Sequence, residues 1–369
     1  MKRRHLFGVA AALLASLSLA GCNDEKKVEP TAEPKAAASE APETYNWKMV
    51  TAWPKNYPGL GTAAQRLADR VEAMSDGRLT IKVYAAGELV PALEVFDAVS
   101  RGTAELGHGA AYYWKGKVPT AQFFTSVPFG LSTSEMNAWL TRGGGQEFWD
   151  EAYAPYGVKP MVVGNTGMQM GGWFNKEING LADIKGLKIR MPGIGGEVWS
   201  RLGATTVVLP GGEIFTALQT GAIDATDWVS PYNDLAFGLQ KAARYYYYPG
   251  WQEPQSVLEL LINQKAFDSL PPDLQAIVTE AARASTLDMM DDYVFNNAKA
   301  LDSLKAEGVQ LKRLPDDVLQ AMREQSAAVL EQLAAASDLN GRIWASQKAF
   351  LEEASAMQAL TEKELYNWR

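Results

Sequence analysis

The chain has 369 residues, a formal net charge of −8, one cysteine and two histidines. This acidity disfavours a nucleic-acid partner and binding to an anionic membrane through the protein surface. One cysteine excludes an intrachain disulfide, and two histidines exclude a zinc site built from several of them.

The N-terminal residues are predicted to form an export signal. A positive segment, residues 2–4, precedes an apolar run at 6–20, which is shorter than the roughly 20 residues that a membrane-spanning helix needs. This order is typical of a secretory signal. The sequence Leu-Ala-Gly-Cys that ends at Cys22 resembles a bacterial lipoprotein signal; the alternative is an ordinary signal that contains a cysteine. We expect removal of residues 1–21, a lipid anchor at Cys22 and a location in the periplasm or cell envelope.

The segment after the signal is predicted to be a disordered tether. Residues 22–44 are rich in Glu, Lys, Ala, Pro, Thr and Ser, so they cannot bury enough apolar surface to become ordered. Such a segment lets a folded part stand away from the bilayer. Roughly 325 residues follow, and a chain of that length favours two lobes over one.

The first part of the folded region has the pattern of an α/β protein. Strands are predicted at 46–51 and 79–84, and helices at 62–75 and 93–100, the second of which stops at Gly102. A βαβα series indicates a largely parallel sheet. Further strands are predicted at 158–164, 187–191, 245–248 and 256–262. From Pro271 onward the composition favours helix almost throughout.

A faint internal repeat relates residues 95–106 to residues 214–225. Each unit is an amphipathic helix, a glycine and a short strand, although any helix–glycine–strand pair would look similar. Two lobes built alike would each present the loop that follows this strand, where ligands gather in α/β sheets. The two loops hold His108, Tyr112, Tyr113 and Trp114, and Asp227, Trp228, Tyr232 and Asn233.

Few enzyme mechanisms are compatible with this composition. A Ser-His-Asp arrangement would depend on His108, since His5 lies in the signal, and no G-x-S-x-G motif accompanies it. A P-loop and a convincing dinucleotide-binding glycine motif are both lacking. A hydrolase that uses only carboxylates stays open, because Asp and Glu are plentiful, but the sequence marks no particular pair.

Three polar residues are candidates for ligand binding. Arg190 ends an alternating strand, and its planar guanidinium can hold a carboxylate through two parallel hydrogen bonds. The alternative is an arginine at a solvated sheet edge. Gln169 lies in a run of small residues, and Asp227 precedes Trp228 at the end of the repeated strand; a loop role for Gln169 and a buried structural role for Asp227 are the alternatives.

Four stretches in order along the chain, VGNTGMQMGGW, KGLKIRMPG, EIFTALQTGAIDATDWVSPYND and YYYPGWQEP, resemble a known family. They are similar to the solute receptors of tripartite ATP-independent periplasmic (TRAP) transporters, and most similar to the branch that binds 2-oxo acids or lactate through a metal ion. The resemblance runs from about residue 46 to the C-terminus.

The resemblance implies a ligand site and an ion site. It implies contacts with the ligand from Arg190, Gln169, Tyr112, Trp228 and Asn165. It implies a Na⁺ or Ca²⁺ ion bound by side-chain oxygens of Gln169, Asp227 and Glu253 and by the backbone carbonyl of Trp228. Hard cations prefer such oxygen ligands, and the two carboxylates lean toward Ca²⁺ without deciding the ion.

The resemblance also implies an α/β fold of the periplasmic-binding-protein type, with two lobes, hinge strands and a long helical C-terminal extension. We expect lobe I at 45–165 and 256–285, and lobe II at 166–255 and 286–337. Residues 338–369 would form a helical tail that makes a homodimer, the alternative being a tail that folds back on its own body. The partners would be a small carboxylate and the membrane subunits of the transporter; no catalytic residues and no enzyme activity are expected.

Three alternative functions stay open. The same fold could bind another organic acid, such as a dicarboxylate, an amino acid or a sugar acid. It could report a ligand to a signalling protein as a sensor partner. An envelope hydrolase is the third alternative. A lipid signal departs from the common soluble form of TRAP receptors and affects the expected compartment, not the expected fold.

Overall fold

The structure, a computed structural model, describes residues 43–369. The predicted signal, the lipidation of Cys22 and nearly all of the predicted tether lie outside these residues. Within residues 43–369, no helix is long and apolar enough to cross a membrane.

The described residues contain eleven strands and twelve α-helices, joined in places by short 3-10 turns. The strands are β1 (Tyr45–Thr51), β2 (Leu79–Tyr84), β3 (Leu106–Gly109), β4 (Val158–Asn165), β5 (Gly172–Phe174), β6 (Lys188–Arg190), β7 (Thr205–Val207), β8 (Ala225–Thr226), β9 (Tyr245–Tyr248), β10 (Val257–Asn263) and β11 (Gln310–Arg313). The helices are α1 (Leu60–Met74), α2 (Val95–Ser100), α3 (Thr133–Arg142), α4 (Gly145–Tyr153), α5 (Gly193–Arg201), α6 (Gly211–Gln219), α7 (Pro231–Phe237), α8 (Gln264–Ser269), α9 (Pro272–Ala306), α10 (Asp316–Ala335), α11 (Asp338–Leu360) and α12 (Glu362–Tyr366).

The strands form two sheets, in the orders β2-β1-β3-β10-β4 and β11-β9-β5-β8-β6-β7. The α/β class predicted from the sequence is confirmed, with the long C-terminal helical extension. Both sheets are mixed rather than largely parallel, because β10 runs antiparallel to β3 and β4, and β5 runs antiparallel to β8 and β9. The chain passes directly from β4 of the first sheet to β5 of the second, and directly from β9 of the second sheet back to β10 of the first.

Two segments therefore cross between the sheets. Residues 166–171 lead from β4 to β5, and residues 249–256 lead from β9 back to β10. They are joined to each other where the Thr166 N–H donates to the carbonyl of Ser256, at 3.0 Å. The 35-residue helix α9 packs against α1 and β4 beside the first sheet and against α7 beside the second.

The repeated units occupy comparable places in the two sheets. Gly102 and Gly221 both adopt left-handed backbone conformations, with φ of 75° and 74°, which glycine tolerates better than other residues. Each glycine ends a helix, α2 or α6, and is followed by a strand, β3 or β8. The loops after these strands carry residues of the candidate site.

Candidate functional site

Arg190 is the buried cation at the centre of the site. It ends β6, between β7 and β8 in the second sheet. Its Nη1 donates to the backbone carbonyl of Asp227 at 2.8 Å, its Nη2 donates to the Tyr113 hydroxyl at 3.3 Å, and its Nε donates to the carbonyl of Leu209 at 3.4 Å. A guanidinium has five N–H groups. Each terminal nitrogen thus has one recorded acceptor for its two N–H groups within residues 43–369, so N–H groups remain with which a carboxylate could bond.

Four side-chain oxygens in this part of the structure are buried without a donor. They are Oε1 of Gln169, Oδ2 of Asp227, Oε2 of Glu253 and Oε1 of Gln252, and none has a hydrogen-bond partner among the described residues. Buried polar atoms in folded proteins almost always have a partner. Carboxylate and amide oxygens are the ligands that Na⁺ and Ca²⁺ prefer, so the three residues expected from the sequence to hold an ion do fit one.

The two carboxyl groups of the site, on Asp227 and Glu253, both have raised pKa values. Burial raises the pKa of Asp227 to about 6, and the nearby Arg190 opposes this shift. Burial, and next the charge of Asp227, raise the pKa of Glu253 well above its usual value. Without a cation, the site therefore favours the protonated carboxyl groups, since desolvation disfavours the charged forms. A bound cation favours the ionised forms and lowers both pKa values.

The two crossing segments bring Gln169 and Glu253 together. The Gln169 N–H donates to the carbonyl of Glu253 at 3.1 Å. A Cβ atom on Gly250 would lie 2.1 Å from the carbonyl oxygen of Gln169, so only glycine permits this approach. The close contact holds the backbone of one crossing segment at Gln169 against the backbone of the other at Glu253.

Gln252 ties the site together and was not anticipated from the sequence. Its Nε2 donates to the carbonyl of Met170 at 2.8 Å and to Oδ1 of Asp227 at 3.0 Å. One amide group thus links both crossing segments to the loop after β8. It also orients Asp227, with Oδ1 occupied and Oδ2 left for another partner.

Trp228 and Tyr112 enclose the site with aromatic rings. The ring of Trp228 lies 5.4 Å from the guanidinium carbon of Arg190, and a Cβ on Gly211 would come within 2.5 Å of that ring. Tyr112 is buried against Gly193, whose φ of 64° is left-handed. Burial raises the pKa of the Tyr112 hydroxyl well above its usual value, and the nearby charge of Glu253 raises it further.

Asn165 differs from the other residues expected at the site in what its side chain contacts. Its Nδ2 donates to Gln255 at 3.0 Å and to Asn137 at 3.2 Å, and its Oδ1 accepts from the Gly167 N–H at 3.0 Å. These bonds use its donors and its oxygen where β4 ends and the crossing segment begins. Its contact with a ligand stays a prediction.

Asp234 is a further buried group, and all of its hydrogen-bond donors are groups of the protein itself. Asp234 accepts from the Val229 N–H at 3.1 Å, from the Trp173 indole at 2.9 Å and from the Tyr246 hydroxyl at 2.6 Å. It thereby holds the loop after β8, and burial raises its pKa to about 7. No sequence signal marked Asp234, because two of its three partners, Trp173 of β5 and Tyr246 of β9, lie in strands distant along the chain.

His108, the remaining histidine of the folded region, lies fully buried in β3. Its Nδ1 accepts from the Trp53 indole at 2.7 Å, and burial lowers its pKa to about 3. No cluster of three or more His, Cys, Asp or Glu residues suited to a metal occurs in the part of the chain that the structure describes. An ion in the candidate site around Arg190 would depend on amide and backbone oxygens as well as on two carboxylates.

The sequence model of the protein family 'bacterial extracellular solute-binding protein, family 7' (DctP) matches residues 49–337 of the chain. A monocarboxylate 2-oxoacid-binding periplasmic protein of Nostoc sp. (strain PCC 7120) is 42% identical to the chain, over 100% of this chain and 99% of that protein. Two solved structures are also similar. A TRAP periplasmic solute binding protein from Pseudoalteromonas atlantica, with bound sodium and pyruvate, has a TM-score of 0.86 and 42% identity, covering 88% of this chain and 99% of its own. One from Colwellia psychrerythraea, with bound calcium and pyruvate, has a TM-score of 0.87 and 41% identity, covering 89% and 100%.

Proposed function

The chain belongs to the DctP family of bacterial extracellular solute-binding proteins, and we propose that it is a TRAP receptor that binds a 2-oxo or 2-hydroxy monocarboxylate, such as pyruvate or lactate, together with a metal ion. The observation that carries this proposal is the set of three donorless oxygens, on Gln169, Asp227 and Glu253, beside the unpaired N–H groups of Arg190. The two relatives with bound pyruvate and an ion support the same assignment.

Different residues of the site would bind the ion and the acid. Gln169, Asp227 and Glu253 would hold the ion through their free oxygens, with the backbone carbonyl of Trp228. The ion would supply a positive centre that a 2-oxo acid chelates with one carboxylate oxygen and its 2-oxygen. Arg190 would bind the remaining carboxylate oxygen through the free N–H groups. The ligand contacts we propose are those of Arg190, Gln169, Tyr112, Trp228 and Asn165.

Charge balance favours Ca²⁺ over Na⁺. The buried site contains one cation, Arg190, and two carboxylates, Asp227 and Glu253. A monocarboxylate adds a second net negative charge, and a divalent ion brings the sum to zero. Unbalanced charge in a buried site is costly, so Na⁺ would require one carboxyl group to stay protonated.

Ligand entry would require the protein to open. Arg190, Asp227, Gln169, Trp228 and Glu253 are all buried, so a ligand among them would be enclosed. We propose that lobe I (45–165 and 256–285) and lobe II (166–255 and 286–337) separate by bending at the two crossing segments. Hinge closure of this kind is a standard way to enclose a small ligand.

The C-terminal tail is a candidate dimerisation element. The first part of α11 packs against α3, α4 and α10, and Ile343 is fully buried. Its end and α12 expose large apolar side chains, up to Trp368 at 82% exposure. The five most exposed apolar side chains of this segment are Met357, Leu360, Leu365, Tyr366 and Trp368. We propose that a second copy of the chain covers these side chains.

We also propose that a lipid at Cys22 anchors the receptor beside the membrane subunits of its transporter.

Calorimetric titration tests this function. The purified protein would be titrated with pyruvate, lactate and longer 2-oxo acids, before and after a chelator removes bound metal. We expect tight binding that is lost on stripping and restored by Ca²⁺. Binding that ignores metal would assign the protein to a receptor of another organic acid, and no binding of any acid would refute the proposal.

A further inference from the structure

Tyr57 forms a polar connection between the two sheets at the edge of the site. It lies in the loop between β1 and α1, beside the first sheet, and is buried. Its hydroxyl accepts a hydrogen bond from the Trp228 indole at 2.9 Å and donates to the backbone carbonyl of Asn233 at 2.5 Å. Both partners follow β8 of the second sheet, Trp228 in the loop and Asn233 in α7, so one hydroxyl joins segments from opposite sides of the site.

Asn233 makes a second connection between the same loops. Its Nδ2 donates to the carbonyl of Pro58 at 2.7 Å, and its Oδ1 accepts from the Tyr293 hydroxyl of α9 at 2.6 Å. The Asn233 side chain is fully buried. Removing any one partner would leave a buried polar group unsatisfied, which is costlier than the bond itself is stabilising. We refer to Tyr57, Pro58, Trp228, Asn233 and Tyr293 as the Tyr57 junction.

Aromatic packing extends the junction to the site. The ring of Tyr57 lies 4.3 Å from that of Phe237 and 6.1 Å from that of Trp228, centroid to centroid. Trp228 in turn lies against the guanidinium of Arg190 at 5.4 Å. Phe237 and Gly211 pack against the Trp228 ring from its own side, and the indole N–H adds a hydrogen bond to the opposite sheet.

We propose that Tyr57 is a positioning residue that couples the orientation of Trp228 to the closed arrangement of the two sheets. Its hydroxyl is the part that matters, because it alone bonds both Trp228 and Asn233. Loss of that hydroxyl frees the Trp228 indole and weakens the closed form, so a bound ligand leaves faster. This rests on the proposed function for the identity of the ligand, but the connection between the sheets does not depend on it.

Tyr57→Phe is the test variant, because the ring keeps its packing and only the hydroxyl is lost. Release and association of pyruvate, in saturating Ca²⁺, would be followed by stopped-flow tryptophan fluorescence. We expect release about tenfold faster, because the two hydrogen bonds of the hydroxyl are lost, and association changed less than about twofold. Tyr153→Phe is the matched control. Tyr153 is also buried and hydrogen-bonded, to Glu259 and Trp114, but all three lie beside the first sheet; its loss should lower the melting temperature and leave release unchanged.

A distance measurement tests this inference independently of which ligand the protein binds. Cys22 is the only cysteine, so spin labels can be placed at Glu72→Cys in α1 and Gln219→Cys in α6 in a full chain that carries Cys22→Ser. Pulsed electron resonance would record the separation with and without Ca²⁺ and pyruvate. We expect Tyr57→Phe to shift both distributions toward longer distances.

The outcomes are distinct. If the wild type binds none of the acids, the proposed function fails, and the distances in the ligand-free protein still decide the role of Tyr57. Unchanged release and unchanged distances in Tyr57→Phe would overturn the inference. Faster release that Tyr153→Phe reproduces would overturn it as well, because that result would indicate a general loss of stability.

Discussion

Arg190 and Asp227 are held together both through the backbone and through their side chains. The guanidinium donates to the carbonyl of Asp227 at 2.8 Å, and its Nη1 lies 3.8 Å from the Asp227 carboxylate, with both side chains 1% exposed. This pair leaves each partner incomplete, since Arg190 keeps free N–H groups and Oδ2 of Asp227 has no donor. The incompleteness of a buried ion pair is the feature that points to a ligand.

Arg190→Ala should lower the affinity for pyruvate by at least about 100-fold. The variant removes two hydrogen bonds to a charged group, each contributing about 1.5–3 kcal/mol, and it leaves the Asp227 carboxylate buried without its cation. Titration calorimetry in saturating Ca²⁺ measures the effect. Arg201→Ala, at an exposed arginine of α5, is the control and should bind normally. Binding by Arg190→Ala within about threefold of wild type would show that the acid lies elsewhere.

Glu253→Gln should change which ion supports binding. The variant keeps an oxygen ligand but removes one negative charge, so the buried site with its ligand becomes neutral with Na⁺ rather than with Ca²⁺. We expect Ca²⁺ affinity to fall by about 10–100-fold and pyruvate binding to become dependent on Na⁺. Ion titrations of stripped protein measure this. Glu259→Gln alters a buried carboxyl group that lies outside the ion site and should keep the Ca²⁺ preference. An unaltered preference in Glu253→Gln would contradict the assigned ligand set.

Glu259 should make the protein less stable as the pH rises. Tyr153 donates to its Oε2 at 3.0 Å, and burial raises its pKa to about 8 from an ordinary value of 4.5. Between these values the unfolded chain releases the proton and the folded protein keeps it, so the free energy of unfolding falls, by at most roughly 1.4 kcal/mol per pH unit. Above pH 8 this contribution is constant.

Urea unfolding of metal-free protein at pH 5 and pH 8 measures this dependence, with Glu259→Gln as the comparison. The glutamine is neutral at both values, so the stability of the variant relative to wild type should improve from pH 5 to pH 8. Comparing the two proteins removes the opposite contribution of His108, whose depressed pKa disfavours the folded state as the pH falls. An equal difference at both pH values would mean that Glu259 is ionised in the folded protein.

Charges on the exposed face of the tail should dissociate the proposed dimer. Leu360 is 80% exposed, so Leu360→Glu costs little in a monomer and much in an apolar interface. Light scattering after gel filtration should give a dimer for the wild type and a monomer for the variant, at nearly equal melting temperatures. Met74→Glu, at an exposed methionine of α1, is the control and should stay dimeric. If the wild type were a monomer at every concentration, the proposed dimer would be refuted.

Local patterns predicted the elements with strong periodicity. The strands at 79–84 and 245–248 have the predicted bounds, because alternation and aromatic content are local properties of strands. Helix α1 begins two residues earlier than predicted and buries one face, including Leu67 and Val71. In contrast, β11 was missed in a region predicted to be helical, because it is a strand only by pairing with β9, more than sixty residues earlier.

The sequence by itself predicted an export signal, which lies outside the described residues, and it indicated the α/β class and the residues that resemble a family's ligand and ion contacts. It also marked the glycines that end the two repeated helices, since a left-handed turn is a local requirement. Only the tertiary structure decided which oxygens of Gln169, Asp227 and Glu253 lack a donor, and that Gln252 and Tyr57 hold the site together. These properties depend on which distant backbone segments meet, and a chain read residue by residue does not contain those distances.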